Sequence, residues 1–328
     1  MKIIHAPIEI AGQMGILCDA LLEQGHQAIG YNYFRTYLGY DEHIVHSDLF
    51  EIGQLSNEII PYFDLFHFHY ASTLLPDYKD LELIKQTAKP AVMHHWGNDV
   101  RTEAMAGRHN PYVYTGDSPP SETIDARLRQ ISLYISTAIV QDFEVYPYVK
   151  PYYDHVHVLP LAIKLADYQP SYPNPSNKRP LVVHAPTNPE FKGTQVIEEQ
   201  VRLLQKEIPF DYQRVEWTDH RAAVQRYRQA DIVIDQILCG SFGQLSVESM
   251  ALGKPVLVYI RPDLKHVAEK PPVCNAHPDN FYVQLKDLLL SGELRYERGR
   301  QGRQYVERVH DHRKVGQRLL KIYAQLTG

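Results

Sequence analysis

The sequence predicts an α/β protein of two doubly wound, Rossmann-like halves, each a parallel sheet covered by helices. Three observations carry this. Short apolar runs alternate with helix-spaced segments from residue 2 onward, a polar, proline-rich stretch interrupts the pattern at 166–179, and a second strand-first unit starts at Pro180. Strands that alternate with helices pair in parallel, because each helix carries the chain back across a face of the sheet. A length of 328 residues suits two domains of ordinary size.

Lys2–Ala6 reads as a short buried strand, followed by a loop containing Gly12. Residues 13–24 then repeat at helical spacing, with Met14, Leu17, Cys18, Leu21 and Leu22 on one face. Gly25 ends that helix and Ala28–Gly30 begins the next strand. Apolar runs at 64–69, 90–94 and 137–140 continue the alternation. Pro170, Pro173 and Pro175 then mark 166–179 as the linker. Pro180–His184 (PLVVH), Ala230–Asp235 (ADIVID) and Lys254–Tyr259 (KPVLVY) are three strands of the second half. A last helix at about 303–326 puts Val315, Leu319, Ile322, Tyr323 and Leu326 on one stripe. Core packing within the second half and a return to the first half both fit that stripe. In such folds ligands bind at the carboxyl ends of the strands, here expected to face a cleft between the halves.

Composition narrows the class. With 44% hydrophobic and 22% charged residues the chain is globular, and a net charge of −5 gives no sequence-wide attraction to nucleic acid. Cys18, Cys239 and Cys274 are far apart and odd in number, so they form neither a metal-ligand spacing nor a disulfide framework; a reducing compartment is expected. The apolar run at the N-terminus is too short for a signal peptide, and no stretch approaches the ~20 apolar residues of a membrane helix. The expected location is the cytoplasm. The 23 tyrosines and 17 histidines suit packing and surface chemistry, or ring stacking on sugars and bases.

The most informative segment is Gly240–Val256, GSFGQLSVESMALGKPV. It is a small-residue loop opening onto a helix that begins near Gln244 and ends before Gly253. Backbone N–H groups at such a helix start suit a phosphate or a sugar hydroxyl. Glu248, on the first turns, could accept hydrogen bonds from vicinal hydroxyls such as those of a ribose. A helix-dipole carboxylate after an ordinary βα loop reads equally well from the residues alone.

The run SFGQLSVESMALGKPV, with the lead-in QADIVIDQIL at 229–238, resembles the signature of family 4 glycosyltransferases of the GT-B fold, two Rossmann-like domains facing a central cleft. The resemblance implies that Glu248 binds the donor ribose, and that Ser241 with the backbone amides of Phe242, Gly243 and Gln244 faces the donor sugar and phosphates. The family places an acid eight residues before that glutamate; here the position is Gly240. In His184–Thr194 (HAPTNPEFKGT), Lys192 and Gly193 resemble the lysine-glycine pair whose lysine neutralises the donor diphosphate, which makes Lys192 a catalytic candidate. A solvated surface lysine is the plainer reading. The arginine expected six residues earlier is Pro186, and Asn188 or His184 is left to take its part.

In the first half, His67 and His69 (FHFHY) and His94 and His95 (VMHHWGNDVR) stand at the ends of the strands read at 64–69 and 90–94. A histidine pair invites a metal, but the sequence places no third ligand, so no metal site is assigned. VMHHWGNDVR resembles the family's acceptor-side His-Gly-x-Asp stretch, with Gly97 and Asp99 matching and Trp96 where the histidine belongs. His94 shares a strand face with Trp96 and is the preferred catalytic candidate over His95. The loop at Gly12 and Gln13 resembles the glycine turn through which the family's first helix faces the donor phosphates.

The resemblance thus implies a retaining, metal-independent transfer from a nucleoside diphosphate sugar, used as co-substrate with no cofactor. The acceptor is a sugar, a lipid-linked molecule or a small molecule, with peripheral contact at the inner membrane face left open and surface-glycan synthesis as the commonest setting. The expected organisation is an acceptor-side domain at 1–165, the linker at 166–179, a donor-binding domain at 180–302, and a helix at 303–328 that packs back toward the first domain. The second reading is a non-catalytic nucleotide-sugar-binding protein, motivated by Gly240 and Pro186; an epimerase or phosphorylase comes third.

Overall fold

The computed structural model describes residues 1–266 and 269–326. It divides into two compact units, the first Met1–Glu103, Ser118–Ala162 and the chain from His312 on, the second Ala104–Asp117 and Ile163–Asp311. No helix among the described residues is long and apolar enough to cross a membrane.

The first unit contains β1 (Lys2–Ala6), β2 (Gln27–Asn32), β3 (Ile44–His46), β4 (Leu65–His69), β5 (Ala91–His95), β6 (Thr137–Val140) and β7 (His155–Val158). They form one parallel sheet in the order β3-β2-β1-β4-β5-β6-β7. The order reverses between β1 and β4, and that switch point is where such a sheet opens a crevice at its carboxyl edge. Ile3, Leu65 and Val92 project from one face onto Leu17 and Leu21 of the helix Gln13–Leu22 and Val315, Leu319, Ile322 and Tyr323 of the helix His312–Leu326. Each such fully buried aliphatic side chain contributes about 1.5–3 kcal/mol.

The second unit repeats the scheme with β8 (Leu181–His184), β9 (Asp211–Arg214), β10 (Ile232–Ile234), β11 (Val256–Val258) and β12 (Cys274–Asn275), parallel in the order β12-β11-β10-β8-β9. Its switch point lies between β8 and β10. Val182, Ile232 and Leu257 form its core with Ile197, Val201, Phe281 and Leu285 from the covering helices.

Three expectations change. The single helix expected at 303–326 is parts of two helices, Gly292–Val309 and His312–Leu326, separated where Ile163 N–H donates to His310 C=O at 2.8 Å; the stripe Val315–Leu326 lies wholly on the second. Only the second belongs to the first unit, so 303–309 stays with the second. The segment 104–117 also joins the second unit, because Asn110 donates through Nδ2 to the carbonyls of Leu238 and Cys239, and Tyr112 and Tyr114 reach Asp279 and Glu190. The proline-rich stretch read as a linker belongs to the second unit: Ser171 N–H donates to Leu252 C=O, and Arg303 donates to the carbonyls of Tyr168 and Ala251.

Candidate functional site

In the second unit, β8 and β10 deliver their following loops side by side at the switch point. His184, the last residue of β8, is fixed by hydrogen bonds to Ile234 C=O at 2.9 Å and Thr194 Oγ1 at 2.9 Å. Burial pulls its pKa down to about 4, so it is neutral and supplies no charge in place of the arginine missing at Pro186. Asn188 does not supply one either. Its Oδ1 accepts from Phe191 N–H at the start of the short helix Pro189–Lys192, and its Nδ2 donates to Asp117.

Lys192 is a buried lysine, 9% exposed, and its ammonium donates to Asp235 Oδ1 at 2.5 Å and Gln236 Oε1 at 3.0 Å. The surface-lysine reading does not fit this placement. Asp235 is fully buried just beyond β10, and its Oδ2 accepts from Gly243 N–H at 3.1 Å and Ser246 Oγ–H at 2.6 Å. Burial alone would raise this carboxyl; the Lys192 charge, with these hydrogen bonds, outweighs burial and holds it below its ordinary value. Gln236 Nε2 donates to Ser241 C=O at 2.6 Å. Asp235 and Gln236 therefore tie Lys192 to the loop carrying Ser241, Phe242 and Gly243, at the start of the helix Gln244–Ala251. Neither residue was assigned a role from sequence. Asp235 closes the apolar run Ala230–Asp235, and a charged residue closing a buried strand is the available signal; Gln236 follows it and carries none.

Two glycines shape this site. Gly193 has φ +77°, and a Cβ there would lie 2.7 Å from Ile237 and 2.9 Å from Leu238. Gly240 has φ +92°, and a Cβ would lie 2.4 Å from Arg261 Cγ. The acid expected at 240 has no room in this backbone, because the Arg261 stem packs there, with its guanidinium on Asp263 at 2.9 Å. Phe242 packs edge-on against His310.

Glu248 lies on the same helix, 4% exposed. Its Oε1 gathers His220 Nε2 at 2.7 Å, Tyr168 Oη at 3.2 Å and Gln244 Nε2 at 3.4 Å. Burial would lower the His220 pKa, but the Glu248 charge and hydrogen bond outweigh it and raise it. His220 and Tyr168 come from distant segments and carried no sequence signal.

The first unit gathers a second constellation at its own switch point. His5 closes β1, His67 and His69 lie on β4, and His94 lies on β5, with His5 paired to His67 and His69 to His94 in register. Alternation along each strand puts all four, with Trp96, on the face that carries Ile3, Leu65 and Val92. His67 stacks on His5 with centroids 4.3 Å apart, and His94 stacks on Trp96 at 3.9 Å. Burial lowers all four pKa values, that of His5 to about 3. The third histidine that sequence did not place is thus His5, and with His67 and His69 it brings ring nitrogens within metal-chelating reach of one another. His95 points elsewhere, onto Asp99 Oδ2 at 2.7 Å and Tyr153 Oη at 3.0 Å. Gly12 caps the helix Gln13–Leu22, but the buried Glu9 carboxylate already lies against the backbone N–H groups there, including Gly15 at 3.3 Å; burial raises its pKa to about 7. Gln13 ties Ala162 by both its side-chain atoms.

No sequence-family profile and no curated protein sequence matches the chain. Solved structures do. Sucrose-phosphate synthase from Thermosynechococcus elongatus aligns with a TM-score of 0.64 at 13% identity, covering 100% of this chain and 99% of that one. A UDP-forming α,α-trehalose-phosphate synthase from Burkholderia xenovorans gives 0.60 at 10% identity, covering 100% of each. WaaG, a glycosyltransferase involved in lipopolysaccharide biosynthesis, gives 0.59 at 10% identity, again covering 100% of each. The likeness spans the whole chain, and the fold is GT-B.

Proposed function

We propose that this chain is a glycosyltransferase that moves a sugar from a nucleoside diphosphate donor to a hydroxyl of an acceptor. The observation that carries the reading is the second-unit site, where Lys192 and Glu248 flank one helix-opening loop at the switch point of the sheet. Lysine has three N–H donors, and Asp235 and Gln236 take two, which leaves one for a diphosphate oxygen. The amides opening the helix at Gln244 add positive potential where charge grows on the leaving group. The hydrogen bonds to Glu248 converge on Oε1, so Oε2 suits the vicinal hydroxyls of a ribose.

In this reading the bond from the anomeric carbon to the diphosphate breaks, and the acceptor oxygen bonds to that carbon on the same face. The acceptor proton passes to the departing phosphate. Configuration is retained and no metal is essential, because lysine and helix amides bear the charge. The acceptor is a sugar, a lipid-linked molecule or a small molecule in surface-glycan assembly, and the protein works in the cytoplasm, with peripheral contact at the inner membrane face. Gly240 and Pro186 motivate the alternative of a nucleotide-sugar binder without turnover.

The test is a thermal-shift panel of UDP-, GDP-, ADP- and dTDP-sugars, since a ligand of the native state raises the melting temperature. One nucleotide class should stabilise the protein, and Glu248→Ala should weaken that donor by roughly tenfold to a hundredfold. A 2′-deoxyribose donor should bind the wild type poorly and be nearly indifferent to the substitution. Stabilisation by none of the panel would overturn the reading. Binding without release of nucleoside diphosphate or appearance of an epimerised sugar would select the non-catalytic alternative.

A further inference from the structure

The buried histidines of the first unit form a continuous chain of hydrogen bonds. Trp96 Nε1 donates to His69 Nδ1 at 3.2 Å. His69 Nε2 meets His5 Nδ1 at 3.0 Å, and His5 Nε2 meets Tyr323 Oη at 3.4 Å. Tyr323 Oη meets His67 Nδ1 at 2.6 Å, and His67 Nε2 meets His94 Nδ1 at 3.1 Å. His94 Nε2, at the far end, is buried and has no partner among the described residues.

Direction along the chain is settled by its first member. An indole N–H can only donate, so His69 Nδ1 is an acceptor, and a neutral imidazole then carries its proton on Nε2. That proton goes to His5 Nδ1, which puts the proton of His5 on Nε2, facing the tyrosine oxygen. Tyr323 donates its own proton to His67 Nδ1, the proton of His67 lies on Nε2, and His94 Nδ1 accepts it. The reverse arrangement, with every proton on the other atom, leaves an N–H at His69 pointing into the N–H of Trp96. Neutral rings are required throughout, and burial supplies them: all four pKa values are lowered.

We propose that Trp96, His69, His5, Tyr323 and His67 form a one-way relay that holds His94 as its Nε2–H tautomer, so that His94 offers a hydrogen-bond donor, and not a base, to an oxygen of the bound ligand. Trp96, which stands where the resembling family has its histidine, thereby sets the chemistry of a histidine two residues away. The five are positioning residues; His94 alone meets the ligand. The identity of the ligand oxygen, a sugar hydroxyl or a phosphate oxygen, rests on the function proposed above. The relay itself does not.

The test is nitrogen NMR of the full chain with 15N-histidine, without ligand, the His94 signals being assigned by their loss in His94→Gln. In the wild type His5, His67, His69 and His94 should all be neutral with the proton on Nε2. Trp96→Phe removes the obligatory donor and should let the Nδ1–H tautomer appear at all four. Tyr323→Phe cuts the relay at its middle, so His67 and His94 should become mixed while His69 and His5 stay as they were. A wild-type His94 carrying its proton on Nδ1 would overturn the proposal, as would a Tyr323→Phe change confined to His5 and His69. Zinc chloride is a further arm. No rise in melting temperature is expected, and a rise that His67→Gln abolishes would show that these nitrogens form a metal site instead. Because no nucleotide sugar is present, failure here leaves the glycosyltransferase reading untouched, and the converse holds.

Discussion

At the scale of single residues, the Lys192–Asp235 pair decides how the proposed donor site must be tested. Removing one member of a buried ion pair strands the other, which typically costs 3–5 kcal/mol, so Lys192→Ala would injure folding as well as function. Asp235 keeps the Gly243 amide and the Ser246 hydroxyl, which soften the loss. The informative comparison is Lys192→Met against the double variant Lys192→Met with Asp235→Asn. The double variant should recover most of the stability and none of the turnover, which should stay down about a hundredfold. Donor turnover restored in the double variant would show that Lys192 serves only to neutralise Asp235. Lys192 and Glu248 were visible in sequence because they lie within contiguous motifs. Asp235, Gln236, His220 and Tyr168 were not, because each becomes a partner only through folding.

At the scale of elements, the junction at Gly193 joins two helices, Pro189–Lys192 and Thr194–Leu204, through one left-handed residue. Gly193→Ala should cost about 1–3 kcal/mol from backbone strain, added to the close approach to Ile237 and Leu238. Gly107→Ala is the control. It lies within the helix Glu103–His109, a Cβ there meets nothing within 4 Å, and that change should be neutral or stabilising. Equal denaturation midpoints for the two variants would show that the junction relaxes freely. Apart from the half-buried β2, the strands read from sequence are those buried on both faces, such as β1, β4 and β10. The four that escaped, β3, β7, β9 and β12, are the edges of the two sheets. An edge strand is partly wetted and needs no apolar run: HVHV at β7 and DYQR at β9 are half-exposed and polar.

At the scale of the whole molecule, the buried histidines should make folding acid-sensitive. Their folded pKa values lie below the unfolded value of about 6.5, so the unfolded chain binds more protons as pH falls. Their contribution is complete above pH 6.5 and is lost below it, down to about pH 3 for His5, at up to about 1.4 kcal/mol per pH unit for each ring. Glu9, raised to about 7, and Asp80 and His220, both raised, act in the opposite sense, since their contributions are lost as pH rises. His184, lowered to about 4, acts with the four clustered rings. Five groups exceed three, and the melting temperature should fall from pH 7 to pH 5. A melting temperature that rises over that interval would mean that the cluster takes up protons without unfolding.

What the sequence determined by itself is the fold class and the local chemistry. Strand-helix alternation, the apolar stripe of the last helix and the motif Gly240–Val256 are patterns within a few residues of one another, and short-range patterning is what sets secondary structure and its exposed face. The tertiary structure alone decided which distant groups meet. It placed 104–117 with the second unit, broke the expected C-terminal helix at His310–Asp311, filled the space beside Gly240 with Arg261, and aligned His5, His67, His94 and Tyr323 across three strands and a helix. Those meetings depend on strand order and register, and a one-residue slip of any strand would turn its histidines to the other face.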